Sequence, residues 1–94
     1  MQVDRDLSER VLPSRDRVIE DVKRIVGEQM GIDPEKLRET DDLESDVGCD
    51  SLDVVEIGME TEEHFDVPVP DDVGERVRTI GAIADAVLEL LARR

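Results

Sequence analysis

Ninety-four residues, 38% hydrophobic and 1% aromatic, allow at most one small domain, and with Phe65 the only aromatic its core must come from Val, Ile, Leu, Met and Ala. The net charge of −14 is concentrated: Glu39 to Glu75 holds fifteen acids and no Lys or Arg, while the rest of the chain holds eleven acids and all twelve bases. Such a block repels nucleic acid and anionic membrane surfaces and attracts basic partners, and the single Cys49 excludes an internal disulfide and fits a reducing, cytoplasmic setting.

Residues 1–13 mix charges with scattered apolar positions (Val3, Leu7, Val11, Leu12) and stop at Pro13. This predicts a flexible extension ahead of a folded domain over 14–94. The extension lacks an apolar signal-peptide core, and no run in the chain approaches the length of a membrane span. From Ser14 to Met30, Val18, Val22, Ile25, Val26 and Met30 recur at helical spacing, with Ser14 as cap and Gly31 as a left-handed stop. Gly27 inside this helix weakens it by about 1 kcal/mol relative to Ala. Ile32 to Cys49 reads as a long loop with turns at Asp33-Pro34, Thr40-Asp41-Asp42 and Gly48, anchored by Leu37, Leu43 and Val47. The second helix starts at Asp50 or Ser51 and ends at Phe65. It carries two neighbouring apolar rows, Leu52/Val55/Met59 and Val54/Ile57/Thr61/Phe65. Val67-Pro68-Val69-Pro70 must be extended, and Asp71 to Val77 forms a short helical piece. Thr79 caps the last helix, which runs to Ala92 and buries Ile80, Ile83, Ala84, Val87, Leu90 and Leu91. The expected fold is all-α: a small bundle of three longer helices and one short one, with a long loop between the first two.

The candidate functional residues gather at the start of the second helix. Gly48-Cys49-Asp50-Ser51-Leu52 sets a hydroxyl where the helix begins. Ser51 could be a helix cap, a nucleophile or an attachment point. A nucleophile needs a base in reach, and the only histidine, His64, lies thirteen residues along the same helix, about 20 Å away at the helical rise. Cys49 is equally remote from it, and Lys23 and Lys36 sit in no Ser-Lys motif, so the chain is not expected to be an enzyme. No metal site is expected either. A calcium loop started at Asp42 has Glu44 and Asp46 in third and fifth place, but Val47 where glycine is needed and Asp53 where glutamate is needed. A helix N-terminus does favour a phosphodiester, and the glycine turn would display the serine to other proteins. Along the same helix Asp53, Glu56, Glu60 and Glu63 form a carboxylate stripe. Like charges at this spacing weaken a helix by a few tenths of a kcal/mol per pair. With no base interleaved, the stripe reads as a docking face for basic partners rather than a merely solvated one.

These residues carry a family resemblance. Gly48-Cys49-Asp50-Ser51-Leu52-Asp53, then Val55-Glu56-Ile57 and Glu62-Glu63-His64-Phe65-Asp66-Val67-Pro68-Val69-Pro70-Asp71, resemble the acyl carrier proteins; Val22 to Gly31 and Val77 to Ile80 look like the family's first helix and the approach to its last. The resemblance covers about residues 15–92. It implies a four-helix bundle carrying an acyl thioester on a 4′-phosphopantetheine arm that a phosphopantetheinyl transferase attaches to Ser51. It further implies recognition by that transferase through Asp50 and Leu52, with Asp50 beside the transferase's magnesium. The acidic stripe Asp53, Glu56, Glu60 and Glu63 would dock basic surfaces of fatty acid or polyketide synthase enzymes. An acyl cavity would be lined by Leu43, Val47, Ile57, Thr61, Val69, Val77 and Ile83. Gly58 and Thr61 stand where common fatty-acid carriers have larger aliphatics, and Thr61 would add a hydroxyl to that cavity. The expected protein is a free-standing, monomeric cytoplasmic carrier, for type II fatty acid synthesis first and for polyketide, lipid or secondary-metabolite synthesis second. An acidic docking protein without an arm is the reading from a different class.

Overall fold

A computed structural model describes residues 12–93. Most of the extension expected over 1–13 therefore lies outside the described residues; Leu12 and Pro13, which are described, are exposed. Four α-helices follow: α1 (Arg15–Met30), α2 (Ser51–Phe65), α3 (Asp71–Arg76) and α4 (Ile80–Arg93), with a 3-10 turn at Pro34–Lys36 in the long loop. Among the described residues there is no strand, only an isolated antiparallel bridge between Asp42 and Thr79.

The helix limits follow local chemistry. Ser14 Oγ accepts a hydrogen bond from the Arg17 amide at 3.1 Å, and Gly31 ends α1 at φ 70°, a left-handed conformation that glycine adopts without penalty. Thr79 Oγ1 accepts from the Ala82 amide at 3.1 Å and starts α4. The core forms where α1 lays Val18, Val22, Ile25 and Val26 against Ile80, Ile83, Ala84 and Val87 of α4, with Ile57 of α2 closing it. Leu90 and Leu91, expected on the buried face of α4, are half-buried.

Gly27 is the first correction. It is buried, and a Cβ there would overlap the carbonyl oxygen of Ile32, whose amide bonds back to Gly27 at 2.9 Å. The glycine permits this close turn, so its low helix propensity is offset by the approach of the loop. The long loop is held accordingly. Leu37 and Leu43 are buried and Val47 packs half-buried against the core. Leu43 N donates to Arg78 O at 2.8 Å and Gly81 N to Glu39 O at 2.8 Å, lacing the loop to the start of α4. Arg15 adds ion pairs to Glu39 at 2.8 Å and Asp85 at 2.7 Å, joining α1, the loop and α4.

The two apolar rows of α2 part company: the side chains of Leu52, Val55 and Met59 are 64%, 55% and 60% exposed. Only Ile57 and Thr61 of this helix are buried. The bundle has one apolar face to offer α2, and the Ile57/Thr61 row takes it.

Candidate functional site

Gly48 turns the chain at φ 92°, in the left-handed region that favours glycine. Cys49 follows with its amide bonded to Leu43 O at 2.8 Å and its side chain buried. Burial, together with Asp53, Asp50 and Glu44, pushes its thiol pKa up, so Cys49 is a packing residue and a poor nucleophile. Asp50 is the N-cap of α2: its Oδ1 accepts from the Asp53 amide at 2.9 Å, and Asp53 Oδ2 accepts in return from the Asp50 amide at 3.1 Å. This reciprocal capping box satisfies the helix start. Ser51 is thereby relieved of the capping role that the sequence left open to it. It sits at the first helical position, exposed, and among the described residues no group hydrogen-bonds its hydroxyl.

His64 is engaged far from Ser51. Its Nε2 lies 3.2 Å from Asp21 Oδ2 on α1. The Thr40–Asp46 acids close on themselves rather than around an ion. Asp42 Oδ1 accepts the Glu44 and Ser45 amides at 2.9 Å each, and Asp46 accepts the Asp42 amide at 2.8 Å. Those amides, with Arg78, hold the Asp42 carboxyl below its usual value. Among the described residues no group of three or more potential ligands could hold a metal ion.

Ser51 borders a cleft of about 530 Å³ between α2, α3 and α4. Leu43, Ile57, Thr61, Val69, Val77 and Ile83 line it. Val47, expected with them, does not; it packs on the core from the loop. Thr61 lines the cleft but adds no unsatisfied hydroxyl, because Thr61 Oγ1 donates to Ile57 O at 2.7 Å. The α3 side is loosely built. This helix has no buried residue and no side-chain cap, and the segment before it is tied to α2 by the Val69 amide donating to Glu62 Oε2 at 2.7 Å.

The acidic stripe is uneven. Glu56, Glu60 and Glu63 are exposed and Asp53 is half-buried. Hydrogen bonds from the Asp50 amide and the Gln29 amide group hold the Asp53 carboxyl below its usual value, and Gln29 also donates to Glu56. Beside these acids lie the exposed Leu52, Val55 and Met59. Sequence periodicity could not single them out as surface, since they repeat at the same spacing as a buried row. The available signal was that α2 carries more apolar width than one face of so small a bundle can cover.

A family model described as "Phosphopantetheine attachment site" matches residues 20–87. The acyl carrier protein of a Sulfurovum species is 44% identical over 64 residues, covering 68% of this chain and 85% of that one. The acyl carrier protein of Phenylobacterium zucineum is 43% identical over 74 residues, covering 79% and 94%. The chain belongs to the acyl carrier protein family. A solved structure of the acyl carrier protein from Enterococcus faecalis, 24% identical, superposes with a TM-score of 0.69 over 83% of this chain and 99% of that one, which agrees in fold. As an acyl carrier protein, the chain is a carrier rather than an enzyme, and its prosthetic group is phosphopantetheine. No helix among the described residues of this carrier is long and apolar enough to cross a membrane. The residues present suit a phosphodiester: an exposed hydroxyl with no hydrogen-bond partner among them, at the positive end of a fifteen-residue helix.

Proposed function

We propose that this carrier holds acyl intermediates as thioesters on a 4′-phosphopantetheine arm joined to Ser51, in type II fatty acid biosynthesis. The observation that carries the site is the division of labour at the start of α2: Asp50 and Asp53 cap the helix, leaving the Ser51 hydroxyl exposed beside an apolar cleft. Loading forms a bond between Ser51 Oγ and the pantetheine-side phosphorus of coenzyme A and breaks the phosphoanhydride, releasing adenosine bisphosphate. The hydroxyl proton goes to a base of the transferase, since His64 is occupied by Asp21. Asp50 uses one oxygen for the cap; its second suits the transferase's magnesium. Leu52, 64% exposed, suits an apolar contact with the same enzyme.

Glu56, Glu60 and Glu63, with Asp53 at their edge, attract basic surfaces of synthase enzymes, and the exposed Leu52/Val55/Met59 row gives those partners apolar area to bury. The cleft shelters the acyl chain against Leu43, Ile57, Thr61, Val69, Val77 and Ile83. We place the carrier domain at 14–94, as a monomer in the cytoplasm. A carrier for polyketide, lipid or secondary-metabolite synthesis is the second reading, favoured by Gly58 in the cleft wall.

The test is intact mass after incubation with coenzyme A, magnesium and a broad-specificity phosphopantetheinyl transferase. The parent gains one phosphopantetheine and Ser51→Ala none, while both keep the same helical circular dichroism. A folded parent that gains nothing from several transferases would leave an acidic docking protein without an arm.

A further inference from the structure

Each of the four helices contains one glycine: Gly27, Gly58, Gly74 and Gly81. Glycine inside a helix is disfavoured relative to alanine, so each position calls for a reason. Two have one in the packing. A Cβ on Gly27 would overlap the Ile32 carbonyl, and one on Gly81 would come within 3.1 Å of the Glu39 carbonyl oxygen. Gly58 and Gly74 have none. Neither has a positive φ, and apart from its chain neighbours and the backbone of its own helix nothing lies within 4 Å of a Cβ built on either. Both line the same cleft, the one Ser51 borders, Gly58 from α2 and Gly74 from α3.

The protein thus leaves room, on two walls of one cleft, that its own side chains could fill. We infer that Gly58 and Gly74 set the width of this cleft and that its cargo is a branched apolar acyl chain. The inference rests on Ser51 being the attachment serine. An unbranched chain would leave the space above the glycines empty and lose the contacts there, whereas a branch fills it. The cargo is apolar because the inner wall offers it no free polar group. Leu43, Ile57, Val77, Ile83 and Val87 are aliphatic, and the Thr61 hydroxyl is already bonded to Ile57 O. A carboxylated cargo is disfavoured at the rim. Arg78, the cation of the lining, is paired with Asp42 and Glu44 at 3.4 Å each, and Asp71 and Glu75 add further negative charge.

The experiment loads the full chain with octanoyl and with its branched isomer isooctanoyl, using a permissive transferase and the two acyl-coenzyme A thioesters. Thioester cleavage by hydroxylamine is followed by intact mass in the parent, Gly58→Leu and Gly74→Leu. The parent should protect the branched group at least as well as the straight one. Each leucine variant should raise the branched-to-straight ratio of cleavage rates roughly tenfold, the scale on which an apolar pocket resolves small changes of shape. Gly58→Ala and Gly74→Ala should move the ratio the same way by less, and they carry the test if a leucine variant does not fold. A ratio unchanged across all folded variants, or a parent that protects only the straight chain, overturns the inference while leaving attachment intact. Absence of any mass gain at Ser51 instead overturns the attachment on which it rests.

Discussion

Asp21 is buried in α1 and stays charged. Its carboxylate, 8% exposed, meets Arg24 at 3.1 Å and Arg17 at 3.4 Å from its own helix, and His64 of α2 at 3.2 Å. Burial pushes its pKa up, but the His64 hydrogen bond and the charges of His64, Arg17 and Arg24 outweigh burial, so the carboxyl ends below its usual value. A depressed carboxyl adds stability that is complete above its unfolded pKa, about 3.9, and is lost as pH falls through the lower folded value. Asp21→Asn should therefore cost about 2 kcal/mol near neutrality, with the gap to the parent closing below about pH 4. Urea denaturation across pH checks this, and a gap that does not narrow in acid would refute it. Cys49 gives a second expectation. Buried, and with its thiolate disfavoured by burial and by three nearby acids, it should alkylate with iodoacetamide far more slowly in native protein than in denaturant. Equal rates would mean that the loop opens freely.

At the scale of elements, the sequence located all four helices to within a residue or two at their ends, because caps and stops are local. Ser14, Gly31 and Thr79 act where the pattern put them. Two things about the helices were not local. Gly27 looked like a weakness, yet its missing side chain admits the Ile32 carbonyl. Gly27→Ala, favourable by helix propensity alone, should therefore destabilise the fold in a urea titration, by roughly 1–3 kcal/mol for an overpacked site. A variant as stable as the parent would show that the turn yields. The other case is α2, whose two apolar rows have the same period. Which one is buried depends on where α1 and α4 stand.

For the whole molecule, the dominant fact is the excess negative charge of residues 39–75, only part of which is paired by Arg15 and Arg78 and which self-repels in the folded state. Much of it clusters at the loop and α2, where Asp42 and Asp53 already draw on backbone amides for relief. Raising salt from about 0.01 M to about 0.15 M shortens the screening length from about 30 Å to about 8 Å. The melting temperature should rise over that range, while association with a basic partner slows. A melting temperature that falls with added salt would contradict repulsion as the limiting term.

The amino-acid sequence by itself determined the helix count, the long loop, the acidic stripe and the serine at the head of α2. Each rests on period, capping chemistry or charge, which act within a few residues. Tertiary structure alone decided that Asp50 and not Ser51 caps α2, that Leu52, Val55 and Met59 face water, and that Val47 leaves the cleft while Gly58 and Gly74 open it. It also brought His64 to Asp21, 43 positions apart in the chain. These outcomes depend on which groups meet across elements, and that follows from how a limited apolar core is shared among four helices rather than from any one segment.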